Sequence, residues 1–283
     1  MVKGYVSTVL SSRQEVGEEI AGRLGKRSEG NSIYYRRVGE AYRWVLVPKA
    51  ERLLDQAAAL TASSSFYLAL SEELGPRDGD LILLAEASGL PGVTLGGGEV
   101  ARRALKGLNI LGTLGEFREA DREVEDLGFV TVDRAFNVKG VGTVVLGFAF
   151  TRLRVHDRLS ALGKEVEVKS IQVMDEDQDE VFPGTRVGLA LRGAEVEELN
   201  GVQFLRRPEV ESLKGETKCR IVKFKWAHET ERAHLVAGGV KVMASISEGL
   251  RLEGEVPKVR RGILLNLNAK PGTSRVLGFA EFY

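Results

Sequence analysis

The feature that most constrains the fold is a change in hydrophobic periodicity near residue 126. Before this point strand-like and helix-like patterns alternate, and after it period-two strands follow one another with glycine-rich turns between them. Alternating strands and helices predict a mainly parallel sheet covered by helices, whereas many short strands with frequent turns predict β-barrels. We therefore predict a multi-domain chain with an α/β domain at 1–125 and two antiparallel β-barrels at 126–205 and 206–283.

The predicted elements follow from the same patterns. In the α/β domain, strands are expected at 4–10, 42–47, 66–70, 93–95 and 109–112, and helices at 14–23, 51–60, 78–87, 99–106 and 116–126. In the barrels, strands are expected at 129–136, 142–150, 166–172, 185–192, 218–226, 239–245, 262–267 and 276–282. Trp44 and Trp226 are both expected in the core.

The composition is that of a globular protein of the reducing cytoplasm. A single cysteine, Cys219, excludes an internal disulfide framework. No apolar run approaches the ~18 residues of a membrane helix, and the first residues do not resemble a signal peptide. We expect a cytoplasmic protein with no membrane partner. Its 28% charged residues, with few Asn and Gln, favour a thermostable protein.

Charge is distributed unevenly along a chain of zero net charge. Residues 206–283 carry 15 Lys and Arg against 9 Asp and Glu, a net charge of +6. A basic domain of this kind suits a surface that faces a polyanion, and a chance excess of surface lysines is an equally good interpretation.

The first predicted barrel carries a specific motif. Its sequence contains Asp133-Arg134-x-Phe136, then Gly140-x-Gly142-Thr143, and later an Arg186-containing strand. This segment resembles the second domain of translational elongation factors of the EF-Tu type, most closely that of selenocysteine-specific (SelB-like) factors and their archaeal relatives. The resemblance covers residues 129–193 strongly and extends through 271–282 into the third domain.

The resemblance implies a GTP-binding domain at the start of the chain, but three of its motifs are missing. A phosphate-binding loop needs G-x-x-x-x-G-K-[ST], whereas the first strand here is followed by Ser11-Ser12-Arg13-Gln14. The metal-linked Asp-x-x-Gly is replaced after the next strand, and the guanine-reading Asn-Lys-x-Asp is replaced by three glycines and a glutamate. The degenerate positions are Ser12, Arg13, Val47, Pro48, Gly96, Gly97 and Gly98. We predict a degenerate GTPase domain without GTP, Mg²⁺ or GTPase activity, because site residues rather than fold decide function.

Two other kinds of site were weighed. The Gly96–Gly98 turn lies between a predicted strand and helix, which is how phosphate sites are built, so an unconventional nucleotide site there stays open. The acidic run from Asp175 to Glu180 lacks the spacing of a calcium loop, and the three histidines with Cys219 lack zinc spacing. No metal is therefore expected.

The resemblance also implies RNA-binding residues. In selenocysteine-specific factors the positions matching Asp133, Arg134 and Arg186 line the pocket for the aminoacyl end of tRNA, although an Asp–Arg pair that only holds the barrel rim is as good an interpretation. The basic third domain would contact the acceptor stem. The candidate phosphate contacts are Arg206, Arg207, Lys218, Arg220, Lys223 and Lys225.

Together these features predict a translation protein that binds tRNA, aminoacyl-tRNA or another translation component without GTP hydrolysis. The ribosome or another translation factor is a further expected partner, and DNA is not. The alternatives are an unconventional nucleotide-dependent elongation factor and a protein-interaction module built on the two barrels.

Overall fold

The computed structural model describes residues 2–28, 32–161, 163–228, 230–270 and 272–283. The chain packs as two compact units. One unit consists of Met1–Tyr5, Arg37–Tyr42 and Glu123–Ser212, and the other of Val6–Arg36, Arg43–Arg122 and Leu213–Tyr283. The three-domain boundaries predicted from the sequence stay a prediction.

The N-terminal part of the chain is an α/β domain, as predicted. Its strands are β1 (Lys3–Ser11), β2 (Lys26–Arg27), β3 (Ile33–Val38), β4 (Ala41–Leu46), β5 (Ser65–Leu70) and β6 (Gly92–Gly96). Its helices are α1 (Gln14–Leu24), α2 (Leu53–Thr61), α3 (Pro76–Ser88) and α4 (Gly98–Ala104), followed by a 3-10 helix at Asn109–Thr113.

The six strands form one mixed sheet of order β2-β3-β4-β1-β5-β6. β1 pairs with β5 and β5 with β6 in parallel, whereas β2 and β3 are antiparallel. All six residues of β5 are buried, as expected for a strand covered on both faces. The carboxyl ends of β1, β5 and β6 therefore meet at one edge, which is where α/β folds bind ligands.

Two predicted elements at the end of this domain were wrong. Residues 109–112 form the 3-10 helix rather than a strand. Residues 116–126, which carry many helix-forming side chains, contain no helix and run as an irregular segment. Within it, Phe117 stacks on Tyr67 with ring centroids 6.0 Å apart, and the Ala120 amide donates to the Tyr67 hydroxyl at 2.8 Å. Tertiary contacts thus override local helix propensity.

The middle of the chain forms a closed barrel. The strands of this region are β7 (Phe129–Thr131), β8 (Arg134–Val138), β9 (Gly142–Phe150), β10 (Leu153–Arg154), β11 (Arg158–Ala161), β12 (Lys164–Val173), β13 (Glu176–Gln178), β14 (Glu180–Val181), β15 (Thr185–Arg192) and β16 (Phe204–Arg206). Of these, β10 and β14 pair with each other in a separate two-stranded sheet. The order β11-β16-β7-β9-β15-β12 is closed by pairing of β11 with β12, which leaves a six-stranded ring without open edges. A second short 3-10 helix lies at Val196–Leu199.

One glycine inside a strand of this barrel has a clear role. Gly147 lies in β9, where an added Cβ would stand 1.7 Å from the carbonyl oxygen of Thr131 in β7. Only glycine permits this approach of two backbones.

The C-terminal strands form a seven-stranded antiparallel half-barrel. They are β17 (Ser212–Thr217), β18 (Cys219–Lys223), β19 (Arg232–Ala237), β20 (Val240–Ile246), β21 (Leu250–Pro257), β22 (Arg261–Leu265) and β23 (Val276–Phe282). Their order is β17-β21-β20-β19-β22-β23-β18, so that β17 and β18 are its two edges.

Within the second unit the α/β domain and the half-barrel share one hydrophobic core. Buried residues of α2 and α3, such as Leu60 and Leu84, belong to the same cluster as Val236, Ile263 and Val276 of the half-barrel. A cluster of this size favours a stable association, because association strength grows with the apolar area removed from water. Among the described helices, none is long and apolar enough to cross a membrane.

Candidate nucleotide and RNA sites

The connection between β1 and α1 is unusually short. β1 ends at Ser11 and α1 begins at Gln14, so only Ser12 and Arg13 join them. The Arg13 amide donates to the Ser11 hydroxyl at 3.2 Å, which tightens the turn. A phosphate-binding loop wraps its ligand with several successive backbone N–H groups. A two-residue link leaves little backbone for that purpose.

Side chains hydrogen bond to one another at this edge of the sheet. The Ser12 hydroxyl donates to Asp78 Oδ1 at 3.0 Å, and Ser71, just after β5, lies 3.4 Å from both groups. The other oxygen of Asp78 accepts from the Gly75 amide at 2.9 Å and so begins α3. Asp78 is only 3% exposed. Its carboxylate therefore ties together three elements at the place where a nucleotide binds in related folds.

A second set of contacts covers the segment after β4. The Val47 amide donates to the Ser32 carbonyl at 2.8 Å, and Pro48 follows it. Beyond them, the Ala50 amide donates to the Gln14 side chain at 3.0 Å. Gln56 of α2, itself 1% exposed, donates to the carbonyl of Ser11 at 3.1 Å. The positions that would carry the metal-linked Asp and Gly are thus part of a structural hydrogen-bond network.

The three glycines after β6 have conformations that other residues adopt rarely. Gly96, Gly97 and Gly98 have φ of 80°, 68° and 48°. An added Cβ at Gly96 would lie 2.4 Å from the Leu70 carbonyl oxygen, and one at Gly97 would lie 2.6 Å from the Ala101 Cβ. Close packing of the chain accounts for the first two glycines, whereas an added Cβ at Gly98 would meet nothing within 4 Å.

β4 carries a buried, ion-paired arginine that the sequence analysis did not identify. Arg43 is 1% exposed and donates through Nε to Asp121 at 2.6 Å and through Nη2 to Glu119 at 2.6 Å. Arg36 pairs with the other oxygen of Glu119. Hydrogen bonds from Arg43, and then from Arg36, lower the pKa of Glu119 from 4.5 to about 2. These pairs hold the segment that precedes the barrel and have a structural role.

This depressed pKa predicts an acid-sensitive contribution to stability. Because the folded-state value lies below the unfolded value, the contribution is complete above about pH 4.5 and is lost as the pH falls towards 2. We expect the stability difference between the natural chain and Glu119→Gln, measured by urea unfolding, to shrink over this range. A difference that stays constant from pH 6 to pH 2.5 contradicts the assignment.

The three pocket residues of the barrel are partly brought together. Arg186 forms an ion pair with Asp133, and its guanidinium carbon lies 5.2 Å from the centroid of the Phe148 ring. The Arg186 side chain is 14% exposed and that of Asp133 is 41% exposed. Arg134 begins β8 opposite Leu146 and is exposed. The pair is consistent with both the rim interpretation and an aminoacyl pocket.

Arg206 and Arg207 are engaged by the protein itself. The Arg206 guanidinium donates to the carbonyl oxygens of Pro208 and Val210 at 3.2 and 2.6 Å, which orders the turn that follows β16. Arg207 donates to the Arg152 carbonyl and lies 3.8 Å from Asp126. Both arginines therefore have structural partners, which makes them weaker candidates for phosphate binding.

Arg207 also lines a groove of about 490 Å³ on the barrel. The groove has four arginines, but Asp126, Asp157 and Glu209 line it too. Glu180 accepts from two of the arginines, at 2.5 and 2.6 Å. The positive charges of the groove are therefore largely compensated by carboxylates, and the groove does not favour binding of a polyanion.

The basic residues of β18 do not form a single stripe. β18 ends at Lys223, and Arg220 and Lys223 point to opposite faces because they are three positions apart in the strand. Lys218 precedes the strand and Lys225 lies in the turn that follows it, and all four side chains are exposed. Arg220 lies 4.0 Å from Glu281, whereas Lys218, Lys223 and Lys225 have no ion-pair partner among the described residues.

One aromatic residue was wrongly assigned to the core. Trp44 is 1% exposed, as predicted, but Trp226 is 46% exposed. Its neighbour Lys225 places Nζ 4.5 Å from the centroid of the indole ring. Alternation with Lys223 and Lys225 would place residue 226 on the inner face with Phe224, but β18 ends at Lys223 and Trp226 lies in the turn that follows, where the alternation no longer holds. In the described part of the chain, no three His, Cys, Asp or Glu side chains are grouped so as to hold a metal ion.

Comparison with solved structures establishes the fold. The chain matches translation elongation factor SelB from Methanococcus maripaludis in its apo form over 99% of this chain and 79% of that one, with a TM-score of 0.75 and 17% identity. It matches the complex of that factor with the GTP analogue GppNHp equally well, over 100% and 80%. A bacterial selenocysteine-specific elongation factor, EF-Sec, matches with a TM-score of 0.68 and 17% identity, over 100% and 58%.

Comparison with curated proteins gives shorter but closer matches. A segment of 81 residues is 42% identical to the selenocysteine-specific elongation factor of Methanocaldococcus jannaschii and covers 28% of this chain and 17% of that protein. A segment of 97 residues is 37% identical to an uncharacterised protein of the same organism and covers 33% of this chain and 32% of that protein. No protein-family model matches the chain. The resemblance to selenocysteine-specific elongation factors predicted from the sequence is confirmed.

Proposed function

We propose that this chain, which has the fold of the selenocysteine-specific elongation factors, is a translation protein that binds tRNA or aminoacyl-tRNA without binding or hydrolysing GTP. The observation that carries the proposal is the two-residue link between β1 and α1, whose Ser12 hydrogen bonds to the buried Asp78. A phosphate loop cannot form there without breaking this contact and lengthening the link.

Loss of the nucleotide would remove the switch of the related factors. In GTPases the γ-phosphate and Mg²⁺ order the switch segments, which are released on hydrolysis. Here Gln14 and Gln56 hold the corresponding segment around Ala50 through protein hydrogen bonds. The proposed protein therefore stays in one state and acts by binding, sequestering or presenting its RNA. No metal or nucleotide cofactor is needed for this role.

RNA binding is supported by charge and by the resemblance. The basic half-barrel has lysines on its β18 edge that lack an ion-pair partner in the part of the chain that the structure describes, and phosphate contacts of this kind position RNA without reading its sequence. The Asp133–Arg186 pair would hold the aminoacyl end on the barrel. The ribosome or another translation factor remains a further proposed partner, in line with the fold.

Filter binding of labelled tRNA across a salt series tests the RNA-binding part of the proposal. We expect saturable binding whose affinity falls steadily with rising salt, because lysine–phosphate contacts release counterions. Lys223→Ala and Lys225→Ala are expected to reduce the slope of log affinity against log salt by about one each. Absence of saturable, salt-dependent binding contradicts the proposal and favours a protein-interaction role for the two barrels.

The second candidate is a nucleotide-dependent factor that uses the Gly96–Gly98 turn. The open space beside Gly98 is the observation that favours it. Isothermal calorimetry with GTP, GDP and ATP in the presence of Mg²⁺ distinguishes the two candidates. We expect no binding heat, and measurable affinity for any of the three nucleotides would replace the first candidate by the second.

A further inference from the structure

The exposed tryptophan lies in a turn that the half-barrel holds firmly. Phe224 donates its amide to the Leu277 carbonyl at 2.9 Å, and the Ala227 amide closes the turn on Phe224 at 3.0 Å. Ala227 also forms a bridge with Ser274. Trp226 therefore extends from a backbone that is anchored on both sides.

Two aromatic residues, Phe224 and Trp226, lie in or next to this turn, and only Trp226 is exposed. Phe224 packs edge-on against Phe279, with centroids 6.4 Å apart, and joins the core shared by the α/β domain and the half-barrel. Trp226, two residues later, keeps 46% of its surface in solvent. Phe224 thus anchors the turn, and the packing of the turn does not require an indole at 226.

One cation contacts the exposed ring, and a second exposed cation lies three positions before it in the chain. Lys225 places its ammonium 4.5 Å from the indole centroid, and Lys223 is exposed at the end of β18. Neither lysine has an ion-pair partner in the described ranges, and residues 206–283 carry a net charge of +6. An aromatic face beside uncompensated cations is how proteins bind unpaired nucleotides, since bases stack on the ring and phosphates meet the cations.

We propose that Trp226 stacks on an unpaired base of the bound RNA while Lys223 and Lys225 contact the flanking phosphates. This inference rests on the proposed RNA-binding function. It adds a site that distinguishes single-stranded from double-stranded RNA. Stacking is tolerant of sequence because every base has a π-face. The site would therefore prefer unpaired nucleotides to a duplex, without a strong preference among bases.

Fluorescence and binding assays on the full chain test this site. Trp226 is the only tryptophan left in a Trp44→Phe variant, so its emission reports on its own surroundings. We expect quenching when a single-stranded oligoadenylate is added and much less quenching with the same length of RNA duplex. Trp226→Ala is expected to weaken oligoadenylate binding by about 5- to 100-fold, and Trp226→Phe, which keeps an aromatic face, by much less.

Lys214→Ala provides the control, because Lys214 is an exposed lysine on β17 at the opposite edge of the half-barrel. It should change binding much less than Lys225→Ala does. If the natural chain binds tRNA, but Trp226→Ala binds oligoadenylate and tRNA as tightly as the natural chain, the stacking site is wrong and the proposed function stands. If the natural chain binds no tRNA, the proposed function itself is wrong.

Discussion

Replacing Glu119 by Gln and Asp121 by Asn in one variant is expected to lower the free energy of unfolding by about 3–5 kcal/mol. The reason is the buried guanidinium of Arg43, which is 1% exposed and would lose both carboxylates. A charge that stays buried without a partner costs more than the pair contributes. Urea unfolding at pH 7, followed by far-ultraviolet circular dichroism, measures the difference.

Arg43→Met, which removes the buried positive charge, is the comparison for the double carboxylate variant. In Arg43→Met the two carboxylates can be solvated, because Glu119 is 49% and Asp121 22% exposed. We therefore expect this variant to lose less stability than the double carboxylate variant. Glu123→Gln, which removes an exposed pair with Lys3, should change stability much less than either of these variants. The reverse order of the first two variants contradicts the assignment of Arg43 as the buried member.

Asp80→Ala is expected to destabilise the second unit by about 2–3 kcal/mol. Asp80 lies on α3, is 7% exposed, and accepts three hydrogen bonds from the half-barrel. The donors are the Arg275 amide at 2.9 Å, Arg275 Nε at 2.8 Å and the Ser274 hydroxyl at 3.2 Å. Without the Asp80 carboxylate, these donors have no acceptor at the junction of α3 and the half-barrel. Thermal or urea unfolding measures the resulting decrease in stability.

Asp55→Asn is the control for this junction. Asp55 of α2 pairs with Lys241 of the half-barrel at 3.0 Å, but both side chains are partly exposed, at 25% and 35%. Ion pairs in such surroundings contribute little, so the variant should lose less than about 1 kcal/mol. Equal losses for Asp80→Ala and Asp55→Asn would show that Asp80 does not anchor α3 in the way the geometry indicates.

Most of the fold was predictable because periodicity reports burial. The strands at 142–150, 185–192 and 276–282 were predicted with the bounds that the structure has. Helices α1 and α3 were predicted to within two residues at each end. The change from α/β to all-β architecture was confirmed as well. Each of these features depends on which faces are apolar, and that information is local in the sequence.

The failures have one physical cause in common. The segment 116–126 has the composition of a polar helix, yet Glu119 and Asp121 are held by Arg43, more than 70 residues earlier in the chain. Trp226 is a large apolar residue of the kind found in cores, yet Phe224, which packs against the distant Phe279, takes the core position in this part of the chain. Both outcomes depend on long-range partners, which propensity and periodicity do not contain.

The candidate site was predicted in part. The motif comparison did not predict the hydrogen bonds among Ser12, Ser71 and Asp78, because Ser12 lies far from the other two in the chain. An Asp–Arg pair among Asp133, Arg134 and Arg186 was expected from the sequence, and the structure pairs Asp133 with Arg186, which also lies against the Phe148 ring. Arg206 stays a predicted phosphate contact, and the sequence did not predict its hydrogen bonds to backbone carbonyls of its own turn.

The central claim is that this elongation-factor fold holds RNA without a nucleotide. Its most direct test is the affinity for one labelled tRNA, measured by filter binding at fixed salt with and without GppNHp and Mg²⁺. We predict the same dissociation constant under both conditions, because the two-residue link at Ser12 and Arg13 leaves little backbone to surround a phosphate. Binding that appears only with the nucleotide, or that strengthens tenfold in its presence, contradicts the account.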